Sequence, residues 1–106
     1  MKIDIRFRDL DASNALKNHA TRRLQFGLGR FGHAINGVTL RVSDVNGPRG
    51  GVDKRCHIIA HGPRLGTIAV DELHGDIYLA VDAAVERLSR TVGRELARVR
   101  SNQRAA

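Results

Sequence analysis

The sequence predicts an α+β domain of order β-α-β-β-β-α: a four-stranded mixed sheet with two helices on one face. Three observations carry that expectation. Four short stretches alternate apolar and polar side chains, the period of a strand with one wet face. Two longer stretches repeat apolar side chains at three- and four-residue steps, the period of a helix lying on a core. The first β-α-β unit makes its two strands parallel through a right-handed crossover, and the later strands follow as hairpins. Because every stripe is one-sided, both helices belong on the same sheet face. The opposite face is then wet and holds Arg6, Arg41, Arg55, His57 and His61.

The elements follow in order. In KIDIRFR, residues 2–8, Ile3, Ile5 and Phe7 point one way and the charged residues the other. Asp11 or Ser13 can cap the next helix by accepting from the free N–H groups of its first turn. Leu16, Ala20, Leu24 and Phe31 mark that helix's apolar face, and Gly27, Gly29 and Gly32 end it near Gly27–Phe31. Val38, Leu40 and Val42 define the second strand. Asp44–Val52, DVNGPRGGV, is a turn-rich, flexible loop. The third strand covers about Asp53–His61, with Cys56, Ile58 and Ala60 on one side. GPRLG is a turn, and Thr67–Asp71 is a short fourth strand. ELHGD leads to the last helix, with Asp76 as its N-cap. That helix spans about Asp76–Arg98. Residues 1–100 form one domain and residues 101–106 a flexible C-terminal tail.

The last helix organises the rest. Ile77, Val81, Ala84, Val85, Leu88, Val92, Leu96 and Val99 form its apolar stripe. Arg87, Arg90, Arg94 and Arg98 repeat at the same steps on another side, with Asp82 and Glu86 outside their row. A helix of ~23 residues is ~35 Å long, so the arginines make a long basic rail. A merely solvated face usually mixes signs, because opposite charges at i,i+4 stabilise a helix by about 0.2–0.5 kcal/mol and like charges cost similar amounts. Arg90–Arg94 and Arg94–Arg98 are like-charge pairs at that spacing, which points to an anionic partner. On the first helix His19, Arg22, Arg23 and Arg30 lie on one flank and Lys17 on the other.

Composition agrees. The 106 residues hold 18 basic and 11 acidic side chains, a net charge of +7. Charge of this kind speaks of partners rather than fold, and phosphate-rich ones fit: RNA, DNA or an acidic membrane surface. No apolar run approaches the ~20 residues that cross a bilayer, and the first residues lack the apolar region of a secretory signal. The single cysteine, Cys56, has no internal disulfide partner, so the default location is the cytoplasm.

Catalytic signatures are missing from the pattern. His57 and His61 share a strand face but stand too far apart for one metal ion. Cys56 alternates with apolar neighbours, as a core residue does. GLGRFG sits at a helix end, where the dipole is wrong for a nucleotide phosphate. Asp9 and Asp11 suit a turn, not an acid–base pair. An enzyme, a cofactor and a small-molecule substrate are therefore not expected. With three Phe, one Tyr and no Trp, and three of the four aromatics reading as buried or structural, stacking on single-stranded bases is not expected either.

DIYLAVDAAVERLSRTV, residues 76–92, is similar to the signature that opens the last helix of the ribosome hibernation promoting factor family, which includes ribosome-associated inhibitor A. The matching positions are Asp76, Tyr78, Ala80, Val81, Asp82, Glu86, Arg87, Leu88 and Arg90. SNALKNHATRRLQ in the first helix resembles the family's pattern more loosely, with His19 and Gly27 where relatives have large apolar residues. The resemblance implies a fold like the double-stranded RNA-binding domain with an added strand, and no enzymatic activity. It implies a stress-response protein, monomeric off the ribosome, that binds 16S rRNA in the messenger and transfer RNA channel of the small subunit and inhibits translation. It carries Lys17, Arg23, Arg87, Arg90 and Arg94 over as RNA-binding residues; Arg22, Arg30 and Arg98 join them from geometry alone. The chain stops after the last helix, short of the further domain with which long members pair ribosomes, so a short form is expected. The rival readings are a general double-stranded RNA-binding protein and a regulator whose basic helix meets an acidic protein.

Overall fold

The computed structural model describes residues 1–45 and 52–105, residues 103–105 by backbone alone. Strands β1 (Lys2–Arg8), β2 (Gly37–Asp44), β3 (Lys54–Gly62) and β4 (Gly66–His74) form one sheet in the order β1-β2-β3-β4. Strands β1 and β2 are parallel, and the two later pairs are antiparallel. Helix α1 (Asn14–Leu28) makes the crossover and ends in a 3-10 turn over Gly29–Phe31; helix α2 (Ile77–Ala105) closes the chain. The expected order, strand directions and α+β class are those observed.

The core lies between one sheet face and the two helices. Val38, Leu40 and Val42 of β2, Cys56, Ile58 and Ala60 of β3, and Val70 of β4 are buried against Leu16, Ala20, Leu24 and Leu28 of α1 and the α2 stripe. Ile3, Ile5 and Phe7 pack on it at the β1 edge. Ser13, rather than Asp11, caps α1, its hydroxyl accepting from the Leu16 N–H at 3.2 Å. Asp76 caps α2 by accepting from the Tyr78 N–H at 2.8 Å and the Leu79 N–H at 3.4 Å.

Two boundaries move. Strand β4 runs to His74 rather than Asp71, because its acidic end is held on both faces. Asp71 accepts two bonds from Arg55 at 2.7 Å on the wet side, and Glu72 lies 3.3 Å from Arg87 on the helix side. Arg55 holds the Asp71 carboxyl below the usual carboxylate range by hydrogen bonding. Helix α2 continues through Ala105, so residues 101–105, expected as a flexible tail, are helical. The apolar stripe ends at Val99, but no Gly or Pro follows to stop the backbone. Residues 46–51 of the expected glycine-rich loop lie outside the described residues. At its described ends Val45 N–H donates to the Asp53 carbonyl at 2.8 Å, and Lys54 bridges Asp44 and the buried Asp53 at 3.1 and 3.0 Å.

Gly62 closes the β3 end against the segment that enters β2. A Cβ there would overlap the Ala34 carbonyl oxygen, a backbone atom that cannot turn aside. Forced overpacking costs about 1–3 kcal/mol. The Gly62→Ala variant is therefore expected to lose stability by that amount, read as a lower melting temperature; an unchanged one would show that the segment yields. Cys56 gives a second check. Burial first, then the charges of Asp71 and Glu72, push its thiol up to about 12. It should resist alkylation in the folded protein at neutral pH and react once denaturant is added; rapid native labelling would contradict the packing.

Candidate nucleic-acid interface

The apolar stripe of α2 decides where its arginines go. With Ala80, Val81, Ala84, Val85, Leu88 and Val92 against the core, Arg87, Arg90, Arg94 and Arg98 are exposed on the far flank. The rail expected from spacing is therefore present, but it is less bare than its sequence suggests. Arg87 meets Glu72 of β4 at 3.3 Å, and Arg90 stands 3.7 Å from Glu86. Arg98 bonds Glu95 through Nε at 3.2 Å, an interaction that holds the Glu95 carboxyl below its ordinary range. Arg94 reaches only the Thr91 hydroxyl, at 3.5 Å, and has no carboxylate partner among the described residues.

Helix α1 packs beside α2 and brings a second set of cations to the same side. Lys17, Arg22, Arg23 and Arg30 are all exposed. Arg23 Nε lies 3.1 Å from Asp82 of α2, and His19 Nε2 lies 2.7 Å from the same oxygen. The His19 ring also meets the edge of Tyr78, with centroids 5.0 Å apart. One carboxylate thus fixes two α1 side chains against α2. Further along the crossing, Val85 fills the space that a side chain at Gly27 would need, and the Ser89 hydroxyl donates to the Gly27 carbonyl at 2.8 Å. His19 and Gly27 thus both lie at the contact between the two helices. Arg30 lies over the Phe31 ring, 4.6 Å from its centroid. Lys17, Arg22 and Arg30 have no carboxylate partner among the described residues.

Two features escaped the sequence. Phe26 is 88% exposed beside this crossing. Its signal was available: two residues after the buried Leu24, it falls about 200° round the helix, away from the core. Arg100 joins Arg64, His33 and Pro63 around a cleft of about 380 Å³ at the other end of α2, a grouping that no local pattern reveals. Among the described residues, no group of three metal-ligating side chains comes together, and no helix is long and apolar enough to cross a membrane.

The assembled surface is two adjacent helix faces carrying exposed arginines on a sheet-backed core. Residues 3–100 match the model of a family described as sigma 54 modulation protein / S30EA ribosomal protein. The chain belongs to that family. It is the ribosome hibernation factor family that the last helix resembles, and the match runs from Ile3 of β1 to Arg100 of α2. Among solved structures, the N-terminal domain of Thermus thermophilus Protein Y shares 25% identity, covering 89% of this chain and 98% of that one at a TM-score of 0.72. A ribosomal subunit interface protein from Coxiella burnetii has the same fold, at 19% identity over 92% of this chain and 99% of that one, with a TM-score of 0.75. No individually curated protein matches.

Exposed arginines are dispensable for folding, because surface ion pairs contribute about 0–1 kcal/mol and substitutions away from caps and cores change stability by less than ~0.5 kcal/mol. The Arg87→Ala/Arg90→Ala/Arg94→Ala triple variant should melt within a few degrees of wild type. It should also bind RNA more weakly, with the log–log salt dependence flattened by roughly one unit for each phosphate no longer neutralised. A large fall in melting temperature with unchanged binding would make the arginines structural instead.

Proposed function

We propose that this protein silences idle ribosomes by occupying the channel of the small subunit that messenger and transfer RNA use. Lys17, Arg22, Arg23, Arg30, Arg87, Arg90, Arg94 and Arg98 would lie on phosphates of 16S rRNA. Such contacts fix position and orientation without reading sequence, which suits a protein that recognises one shaped site. The observation that carries the reading is the pairing of two exposed basic helix faces with membership of a family of ribosome-associated modulation proteins.

The mechanism needs binding alone. A ligand that shares its site with transfer RNA excludes it by mass action. It needs no cofactor, and it acts in the cytoplasm, as a monomer before it docks. Inhibition should therefore fade as initiator transfer RNA and messenger rise, and as salt rises, because counterions compete for the phosphates. The test uses purified small subunits, labelled transfer RNA and rising amounts of this protein. Release of transfer RNA in step with occupancy is expected. Transfer RNA that stays bound to saturated subunits would sink the shared site, and equal affinity for any RNA duplex would replace it with general duplex binding.

A further inference from the structure

We infer that Phe26 is a stacking platform for an unpaired RNA base, set among the arginines of the helix crossing. This rests on the ribosomal RNA reading just given and adds to it a contact of a different kind. The ring is 88% exposed, so the core gains almost nothing from it. It borders a groove of about 230 Å³ between α1 and α2, whose apolar floor includes Val85 and whose rim carries Arg23, Arg90 and one acid, Glu86, which stands 3.7 Å from Arg90. Arg22, one turn earlier on the same helix, has no carboxylate partner among the described residues. At its floor residue 27 has no side chain, and Val85 occupies the space that one would need.

The occupant follows from the chemistry of that surface. A protein partner of ordinary stability covers about 800 Å² a side with an apolar centre, and one ring among cations does not supply that. A nucleotide matches both parts at once. Its base is a flat π-face for the ring, and its phosphates are anions for the arginines, the combination found in single-strand grooves. A paired base is closed to such a contact, so the ligand is a nucleotide in a loop, bulge or single strand.

The chain has no tryptophan, which gives a direct readout. In the Phe26→Trp variant the introduced indole is the sole one, and stacking should quench its fluorescence when small subunits or a short single-stranded oligoribonucleotide are added, but not with a blunt RNA duplex. In parallel, Phe26→Ala and Phe26→Leu should each weaken binding to small subunits about ten-fold. Both should keep the wild-type salt dependence, because the cations that meet phosphate are unchanged. Melting temperatures should stay near wild type, since the ring is outside the core. Full affinity in the Phe26→Leu variant would mean that apolar contact suffices, and would overturn stacking. Wild-type affinity in the Phe26→Ala variant would overturn the site while leaving the ribosome reading intact. If wild type ignores small subunits yet quenching with the oligoribonucleotide persists, the ribosome reading fails and the base site stands; if neither binds, both fall.

Discussion

Ala80, Val81, Ala84, Val85, Leu88 and Val92 leave α2 one way to lie, with that stripe against β3, β4 and α1. Fully burying a side chain such as Val or Leu is worth about 1.5–3 kcal/mol. A like-charge arginine pair at i,i+4 costs only about 0.2–0.5 kcal/mol. The stripe therefore fixes the rotation of the helix, and the arginines go where that rotation sends them. Loosening the stripe would turn the rail as well as weaken the core, so the two cannot vary independently.

The α1–α2 crossing shows how the second basic face is set against the first. At its start, Asp82 gathers His19 and Arg23 within 3.1 Å. At its far end Gly27 removes bulk, Val85 moves in, and Ser89 takes up a backbone carbonyl. Large apolar residues at these two places would pack the helices by volume. Here hydrogen bonding and backbone proximity do so.

Much of the fold was legible in the sequence because its causes are local. Alternation marks β1 through its whole length, and the Ser13 and Asp76 caps sit where their side chains can reach the next turn. The errors lie where distant residues decide. The end of β4 reads as a polar turn until Arg55 and Arg87, from other elements, are seen to hold Asp71 and Glu72. The last turns of α2 have no apolar stripe to announce them. At the site, periodicity found the arginines, and the Glu86–Arg90 and Glu95–Arg98 pairs were within its reach at i,i+4 and i,i+3, although Glu86 reads as outside the arginine row. Glu72 comes from β4, a contact that no spacing within α2 contains. Phe26 was legible in principle from its angle to Leu24, but a small count of aromatics concealed that one of them is fully outside.

Acids pair part of the cations on each of the molecule's two wet faces, and exposed Arg41 of the sheet face has no carboxylate partner among the described residues. On the sheet face, Arg6 is taken by Asp4 at 2.8 Å and Arg55 by Asp71 through two bonds. Two of its cations are thus neutralised within hydrogen-bond distance. On the helix face the acids meet Arg23, Arg87, Arg90 and Arg98 and leave Lys17, Arg22, Arg30 and Arg94 without a carboxylate partner among the described residues. The paired arginines lie beside Asp82, Glu72, Glu86 and Glu95, and a phosphate can still approach their outer N–H groups, since each guanidinium carries five donors. Partial pairing thus reaches four of the eight cations on the two helix faces, three of them on the α2 rail, and leaves the other four without a carboxylate partner among the described residues. The surface proposed to meet RNA therefore carries both paired and unpaired cations.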